Sequence, residues 1–311
     1  MSGLSLAVSW GWEWWCAEMA RVEAMRRVSR LLAGVVLVTL PYGSAHAFAE
    51  GDTAGDTAYE RGDYTTAFRE FHLLAQEGNH MAQYNLGVMY IQGQGVPHDF
   101  AKAMKWFRKS ADQGSMLAQN NLGFMYYSGH GVPISYVEAM KWYRKAAEQG
   151  FVLAQIRLGF MYGDGKGVPV NHAEAVKWWR LAAERGNSAQ AQDLLGISYT
   201  FGRGVSVNHA EAVKWLRRSA EQNFPGAQIF LGVAYRAGRG TPKDYVQAYK
   251  WWWLAAKRYP EGKERDNAIK LLAEIEQQMT PEQIATARTL AREWKPKESD
   301  GAFEYLQSRP K

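Results

Sequence analysis

The chain has 311 residues, 47% of them hydrophobic, and 37 Lys and Arg against 31 Asp and Glu give a net charge of +6. That composition excludes wholesale disorder, and no apolar run reaches the ~18 residues of a membrane-spanning helix, which excludes a polytopic membrane protein. A single cysteine, Cys16, excludes an intrachain disulfide framework and a cysteine-based metal site. The charges are interspersed, with no run of five like charges, which argues against a dedicated nucleic-acid surface.

Residues 25–47, MRRVSRLLAGVVLVTLPYGSAHA, have the layout of a cleavable secretory signal. Arg26, Arg27 and Arg30 form a basic region, and Leu31 to Leu40 an apolar one that Pro41 breaks. Ala45 and Ala47 are the small residues that precede a cut expected between Ala47 and Phe48. The apolar stretch is too short to remain as an anchor, so a periplasmic or secreted protein without stable membrane insertion is expected. Residues 1–24 hold Trp10, Trp12, Trp14, Trp15 and Cys16 and add nothing to such a signal. They are expected to stem from a start codon placed too early. Residues 48–57 are expected as a linker.

From there the sequence is periodic. LGVMY at Leu86–Tyr90 returns as LGFMY at Leu122–Tyr126 and Leu158–Tyr162, LGISY at Leu195–Tyr199 and LGVAY at Leu231–Tyr235, in steps of 36, 36, 37 and 36. Trp106, Trp142, Trp178, Trp215 and Trp251 keep the same steps, as do glycine pairs beginning with Gly93/Gly95 and ending with Gly238/Gly240. The extra residue falls in the turn around Gly186–Ala189, where an insertion costs little.

Each unit reads as helix, glycine turn, helix. Helix A of the first full unit is predicted from about Ala82 to Ile91, and helix B carries Phe100, Ala103, Met104, Phe107 and Ala111 on one face. Asp99, Ser135, Asn171, Asn208 and Asp244 are predicted N-caps of helix B. Glu138, Glu174, Glu211 and Gln247, three residues on, predict a capping box in four units. The glycine of LG costs about 1 kcal/mol inside a helix. Close helix–helix approach against the Trp of helix B is the expected compensation. One such unit cannot bury its own apolar face, whereas stacked units can.

The fold class expected is therefore all-α, an α/α superhelical solenoid of about five full 36-residue repeats over 58–260. A degenerate leading helix pair, Ala58–Gly78, has Glu70 in place of the Trp. Capping helices are expected over 261–295: one at Glu264–Met279, and one opened by Thr280 as N-cap, Pro281 at N1 and Gln283 at N3 and running to about Trp294. Residues 296–311 read as a loose polar tail.

The repeat anchors resemble those of the Sel1-like repeat family, relatives of the tetratricopeptide repeats. Its pattern is matched, for example, by Ala154, Leu158, Gly159, Tyr162, Gly165, Gly167, Val168, Asn171, Ala175, Trp178, Ala182, Ala183 and Gly186. The last copy departs from it, with Thr241 for the Val and Arg258-Tyr259 at its end. The MTPEQI…AREW segment also looks like the terminal helix of many bacterial members. The resemblance implies a superhelical scaffold for protein–protein contacts, and exported bacterial members often act in envelope signalling, surface-polymer production or host interaction. One disulfide-rich subgroup has been described as weak β-lactamases. It carries a cysteine pair in each repeat, and this chain has none there.

No residue set points to chemistry. His172 and His209 precede Glu174 and Glu211 by two residues, and i,i+2 side chains on a helix do not face one another, so metal binding is not expected. The glycine loops lack the preceding strand and the Lys-Ser/Thr of a phosphate loop, and no Ser sits in a nucleophile elbow. No catalytic residue, metal or cofactor is predicted. In related helical-repeat families helix A lines a concave face. By that analogy the candidate partner-binding residues are Tyr84, Val88, Asn120, Phe124, Tyr127, Ile156, Phe160, Asp193, Ile229 and Arg236. Their mix of apolar, aromatic and polar groups suits a protein or peptide partner better than a phosphate backbone. The 88-type positions fit interhelical packing equally well. Trp252 and Trp253 beside Trp251 add expected aromatic surface. The rival readings are an envelope hydrolase and a peptidoglycan or polysaccharide binder.

Overall fold

The computed structural model describes residues 54–297. The expectations for 1–24, for the signal at 25–47 and for 298–311 lie outside the described residues.

Among the described residues the chain is all-α, with helices and no strand. The leading pair is α1 (Ala54–Glu60) and α2 (Tyr64–Gln76), so the first helix begins inside the span expected as linker. Five hairpins follow: α3 (His80–Gln92) with α4 (Phe100–Asp112), α5 (Met116–Ser128) with α6 (Tyr136–Glu148), α7 (Val152–Asp164) with α8 (His172–Glu184), α9 (Ala189–Phe201) with α10 (His209–Glu221), and α11 (Pro225–Ala237) with α12 (Tyr245–Arg258). The described residues close with α13 (Lys263–Glu276) and α14 (Pro281–Glu293).

The chain divides into two compact units, one ending at Ala139 and one starting at Met140. In the first, α2 packs on α3 and α4 on α5, so each hairpin is completed by the next. Phe71, Leu86, Met89, Phe107, Leu122 and Met125 are fully buried there. In the second, α8 packs on α9, α10 on α11, and α12 receives both closing helices. Stacked α/α hairpins are the solenoid class expected from the period.

Short-range chemistry sets each hairpin. Asp99, Asn171, Asn208 and Asp244 accept the third backbone N–H of helix B, as does the Ser135 hydroxyl at 3.3 Å. The N–H of each of those caps turns back to the Tyr carbonyl of its own helix A, at 2.9 Å for Asp99 to Tyr90 and 2.8 Å for Asn171 to Tyr162. The reciprocal arm of the expected capping boxes is replaced in two units. Glu174 and Glu211 reach outward to Lys177 and Lys214 instead. A complete box stands at Thr280 and Gln283, where α14 opens.

The glycine pairs do two jobs. The first, such as Gly93 at φ 67, ends helix A in the left-handed region. The second locks consecutive hairpins together: a Cβ on Gly204 or Gly240 would collide with the carbonyl of His172 or His209, the first residue of the preceding helix B.

The LG glycines correct one expectation. Their partner is the residue after the Trp. A Cβ on Gly87 would come within 2.6 Å of the Phe107 ring, and one on Gly196 within 2.5 Å of Leu216. Gly159 lies against Trp179 and Gly232 against Trp252 in the same way, and these indoles donate to the Ile156 and Ile229 carbonyls at 3.3 and 3.0 Å. The leading pair follows the same rule, since a Cβ on Gly55 would stand 2.8 Å from Phe71. The Trp106 series lies one step round the helix, where cations cover the rings: Lys109 over Trp106 and Lys145 over Trp142, each at 4.3 Å. Trp252 is accordingly core and not surface.

The last described residues are tied down by polar and aromatic contacts. The Tyr249 hydroxyl donates to Glu276 at 2.9 Å, and Arg288 donates to both. Trp294 meets Trp251 edge-on at 5.8 Å, and the Lys297 amide donates to the Glu221 carbonyl at 2.8 Å.

Two glycines of α7 give a contrast within one helix. Gly159 is under the Trp179 ring, whereas the nearest atoms to a Cβ on Gly163 are at an ordinary 3.8 Å. Gly159→Ala should destabilise by about 1–3 kcal/mol through overpacking. Gly163→Ala should stabilise by about 0.5–1 kcal/mol through helix propensity. Urea denaturation reads both, and equal effects of the same sign would contradict the assignment.

Candidate functional site

The recurring polar residues are spent on the frame. A glutamine stands four residues before the LG glycine in every helix A, and its side-chain amide donates to a carbonyl near the end of the preceding helix B. Gln83 reaches Ala75 at 3.1 Å, Gln119 reaches Ala111 at 3.2 Å, Gln155 reaches Ala147 at 3.0 Å, and Gln228 reaches Ala220 at 3.3 Å. These carbonyls are among those a helix end leaves without an intrahelical donor. In two turns an asparagine holds the left-handed conformation, Asn187 at φ 43 and Asn223 at φ 63. Gln192 and Gln228 donate to their side-chain oxygens.

A second ladder joins helix B to the Tyr of the next helix A. Arg108 donates to Tyr126 at 3.0 Å, Arg180 to Tyr199 at 2.6 Å and Arg217 to Tyr235 at 2.8 Å, and Arg144 binds Tyr162 likewise. Both ladders recur at the repeat spacing, and that recurrence is the sequence signal that identifies them.

The candidate binding residues are mostly inside. In the first unit Tyr84, Val88, Asn120 and Phe124 are buried and Tyr127 is half-buried. Tyr84 lies 5.7 Å from the Phe107 ring, Phe124 stacks on His130, and Tyr127 meets Tyr136 edge-on. In the second unit Ile156, Phe160 and Asp193 are buried, while Ile229 and Arg236 are half-buried. Phe160 packs on Trp179 at 5.5 Å, and Arg236 pairs with Glu274 at 3.7 Å. The expectation of an exposed row is thus corrected at seven of the ten positions. Tyr84, Tyr127 and Phe160 are covered by rings of their own helix B, and neighbouring hairpins cover other positions. At α9, for example, α11 supplies part of that cover.

His172 and His209 are the first residues of α8 and α10. Among the described residues no group of three or more His, Cys, Asp or Glu side chains is placed to hold a metal. No helix among them is long and apolar enough to cross a membrane.

Asp193 stands apart from the frame. It is 5% exposed, and its Oδ1 is buried without a hydrogen-bond partner. Burial pushes its carboxyl up to about 7 from an ordinary 3.8. Across the seam between α9 and α11, a Cβ on Gly226 would stand 3.5 Å from Asp193 Oδ2.

The unfolded chain loses the Asp193 proton near 3.8, while the folded chain keeps it until about 7. In that window the folded state binds more protons, so stability falls as pH rises and levels off above it. The full loss is at most about 4 kcal/mol at 1.36 kcal/mol per unit. Asp193→Asn should gain on the wild type in urea midpoint from about pH 4 to 7; a difference that stays flat would contradict the buried carboxyl.

Comparison with known proteins places these observations in a family. The Sel1 repeat model matches residues 80–115, 117–151, 152–187, 189–224 and 225–259, the five hairpins described above. The structure of a Sel1 repeat protein from Oxalobacter formigenes is similar at 33% identity, covering 78% of this chain and 98% of that one, with a TM-score of 0.67. A protective antigen of uropathogenic Escherichia coli with an SLR fold is 28% identical over 83% of this chain, with a TM-score of 0.51; the match spans 62% of the antigen. No curated protein matches the chain. Five glycine-locked hairpins in the register of the family pattern, together with these matches, show that the chain belongs to the Sel1 repeat family.

Proposed function

We propose that this chain is a non-enzymatic scaffold, exported to the periplasm or secreted, that binds another protein or peptide through its helix-A faces. Sel1 repeat proteins are generally protein-interaction scaffolds, and the fold is typically non-enzymatic. The observation that carries the reading is a contrast within each repeat. The glycine, Gln and Arg–Tyr contacts repeat with the same geometry. The helix-A positions between them that stay half-buried hold Ile91, Tyr127, Gly163, Thr200 and Arg236 at one register. A constant frame that presents different chemistry from repeat to repeat is how helical-repeat proteins build a surface for one partner.

The secretory layout of residues 25–47 supports export. The relative from uropathogenic Escherichia coli is a protective antigen, which suits a role in envelope regulation or host interaction. The half-buried candidates are Tyr127 in the first unit and, separately, Ile229 and Arg236 in the second.

Capture from a periplasmic extract tests this reading. The exported chain should retain a specific protein, and a folded Arg236→Glu or Tyr127→Ala variant should lose at least ~10-fold of that capture, a change of about 1.4 kcal/mol. Unchanged capture by both variants would contradict the face. Turnover of a β-lactam or a cell-wall fragment by the purified chain would contradict the non-enzymatic reading.

A further inference from the structure

The loops that join helix A to helix B in the second unit follow α7, α9 and α11, at residues 165–171, 202–208 and 238–244. They lie along one edge. The second glycine of each later loop sits on the first residue of the helix B before it, Gly204 on the His172 carbonyl and Gly240 on the His209 carbonyl. Loop 202–208 therefore rests where loop 165–171 ends, and loop 238–244 where loop 202–208 ends.

Two positions in these loops carry chemistry that the frame does not need. The residue between the glycines is Lys166, Arg203 and Arg239 in turn. At that register the first unit has Gln94 and His130, and its loops close in the same way, with Gly95 on the Tyr64 carbonyl and Gly131 against Phe100. The residue before the N-cap is Val170, then Val207, then Lys243. Val170 and Val207 are 58% and 56% exposed, although a methyl of each covers the glycine that ends helix A. Lys243 covers Gly238 with its own Cβ, so the frame accepts a charged side chain there. The acids of this edge have partners of their own. Asp244 caps α12, Glu174 and Glu211 pair with Lys177 and Lys214, and Asp164 stands beside Lys166 and His172. The balance on the three loops is positive, with Lys166, Arg203, Arg239 and Lys243 against Asp244.

We propose that this edge docks the second unit on a membrane surface rich in anionic phospholipid, with Val170 and Val207 entering between the headgroups and Arg203, Arg239 and Lys243 against their phosphates. Such contact is reversible surface binding and leaves the bilayer unspanned. It needs no protein partner and is independent of the scaffold reading above. Charge selects an anionic surface. The apolar residues select a bilayer over an acidic protein. Two valines on separate hairpin tips fall far short of the ~800 Å² that each side of a stable protein interface buries. A bilayer interface asks for no continuous apolar patch, because separate side chains sink between headgroups while neighbouring cations stay at the level of the phosphates. Each cation near such a surface strengthens partitioning about fivefold, and salt screens that gain.

Flotation of the exported full chain with two kinds of vesicle tests this. One is phosphatidylcholine alone, and in the other phosphatidylglycerol replaces about a third of it. The chain should partition at least ~10-fold more strongly onto the second, and high salt should remove most of that gain. Arg239→Glu combined with Lys243→Glu should lose at least ~10-fold of the binding. Val170→Thr combined with Val207→Thr keeps the branched shape over the glycines and should lose at least ~3-fold. Should the valine pair fail to fold, the charge pair still decides. Equal partitioning onto both vesicles, or binding that survives the charge pair, overturns the proposal. So does binding that the valine pair leaves unchanged while soluble polyglutamate competes as well as the vesicles do, which would assign the edge to an acidic protein.

Discussion

A glycine in the middle of helix A lets a bulky side chain of helix B lie directly on its backbone. Gly87 with Phe107, Gly159 with Trp179, Gly196 with Leu216 and Gly232 with Trp252 are versions of one contact. It fixes the distance within each hairpin and turns the remaining apolar stripe toward the next one. The second glycine of the loop, as at Gly131, Gly204 and Gly240, then sets how close the next hairpin comes, by sitting on a carbonyl of the preceding helix B. A glycine inside a helix costs about 1 kcal/mol, and burying a ring against it stabilises by about 2–3 kcal/mol. The frame exists because the second term is larger.

Much of this was legible in the sequence. The period, the N-caps of helix B, the left-handed glycines and the Thr280 cap of α14 each have a local cause that a few residues reveal. The partner of the LG glycine did not emerge, because the period fixes spacing but not the rotation of helix B about its axis. Trp106 and Phe107 recur equally well, and only the packed structure says which faces inward. The leading pair hid its glycine for a related reason. Gly55 and Phe71 are sixteen residues apart, whereas Gly87 and Phe107 are twenty, because the turn between α1 and α2 is short. Burial of Tyr84, Asn120 and Ile156 depends on neighbouring elements, which no pattern within one helix reports.

The same frame leaves a small part of the chain to carry identity. Gln228 and Arg217 hold carbonyl and tyrosine partners that recur from repeat to repeat. Asp193 has no counterpart of its own type in the series, and its neighbour Gly226 has none either. A buried acid opposite a missing side chain costs stability, in contrast with the uniform economy of the surrounding repeats. Function in a repeat protein is read most directly where one repeat departs from the others in a way that the frame does not need.

Within each unit, every hairpin is stabilised by its successor through contacts in a fixed register. Excision of one whole repeat, residues 189–224, tests it most directly. The shortened chain should keep its helicity per residue and unfold cooperatively, with a urea m-value reduced in proportion to the lost surface. Removal of ~18 residues from the same region, half a repeat, should break the register and the cooperativity. If both deletions are tolerated alike, or if the whole-repeat deletion collapses the fold, the interlocked frame is wrong.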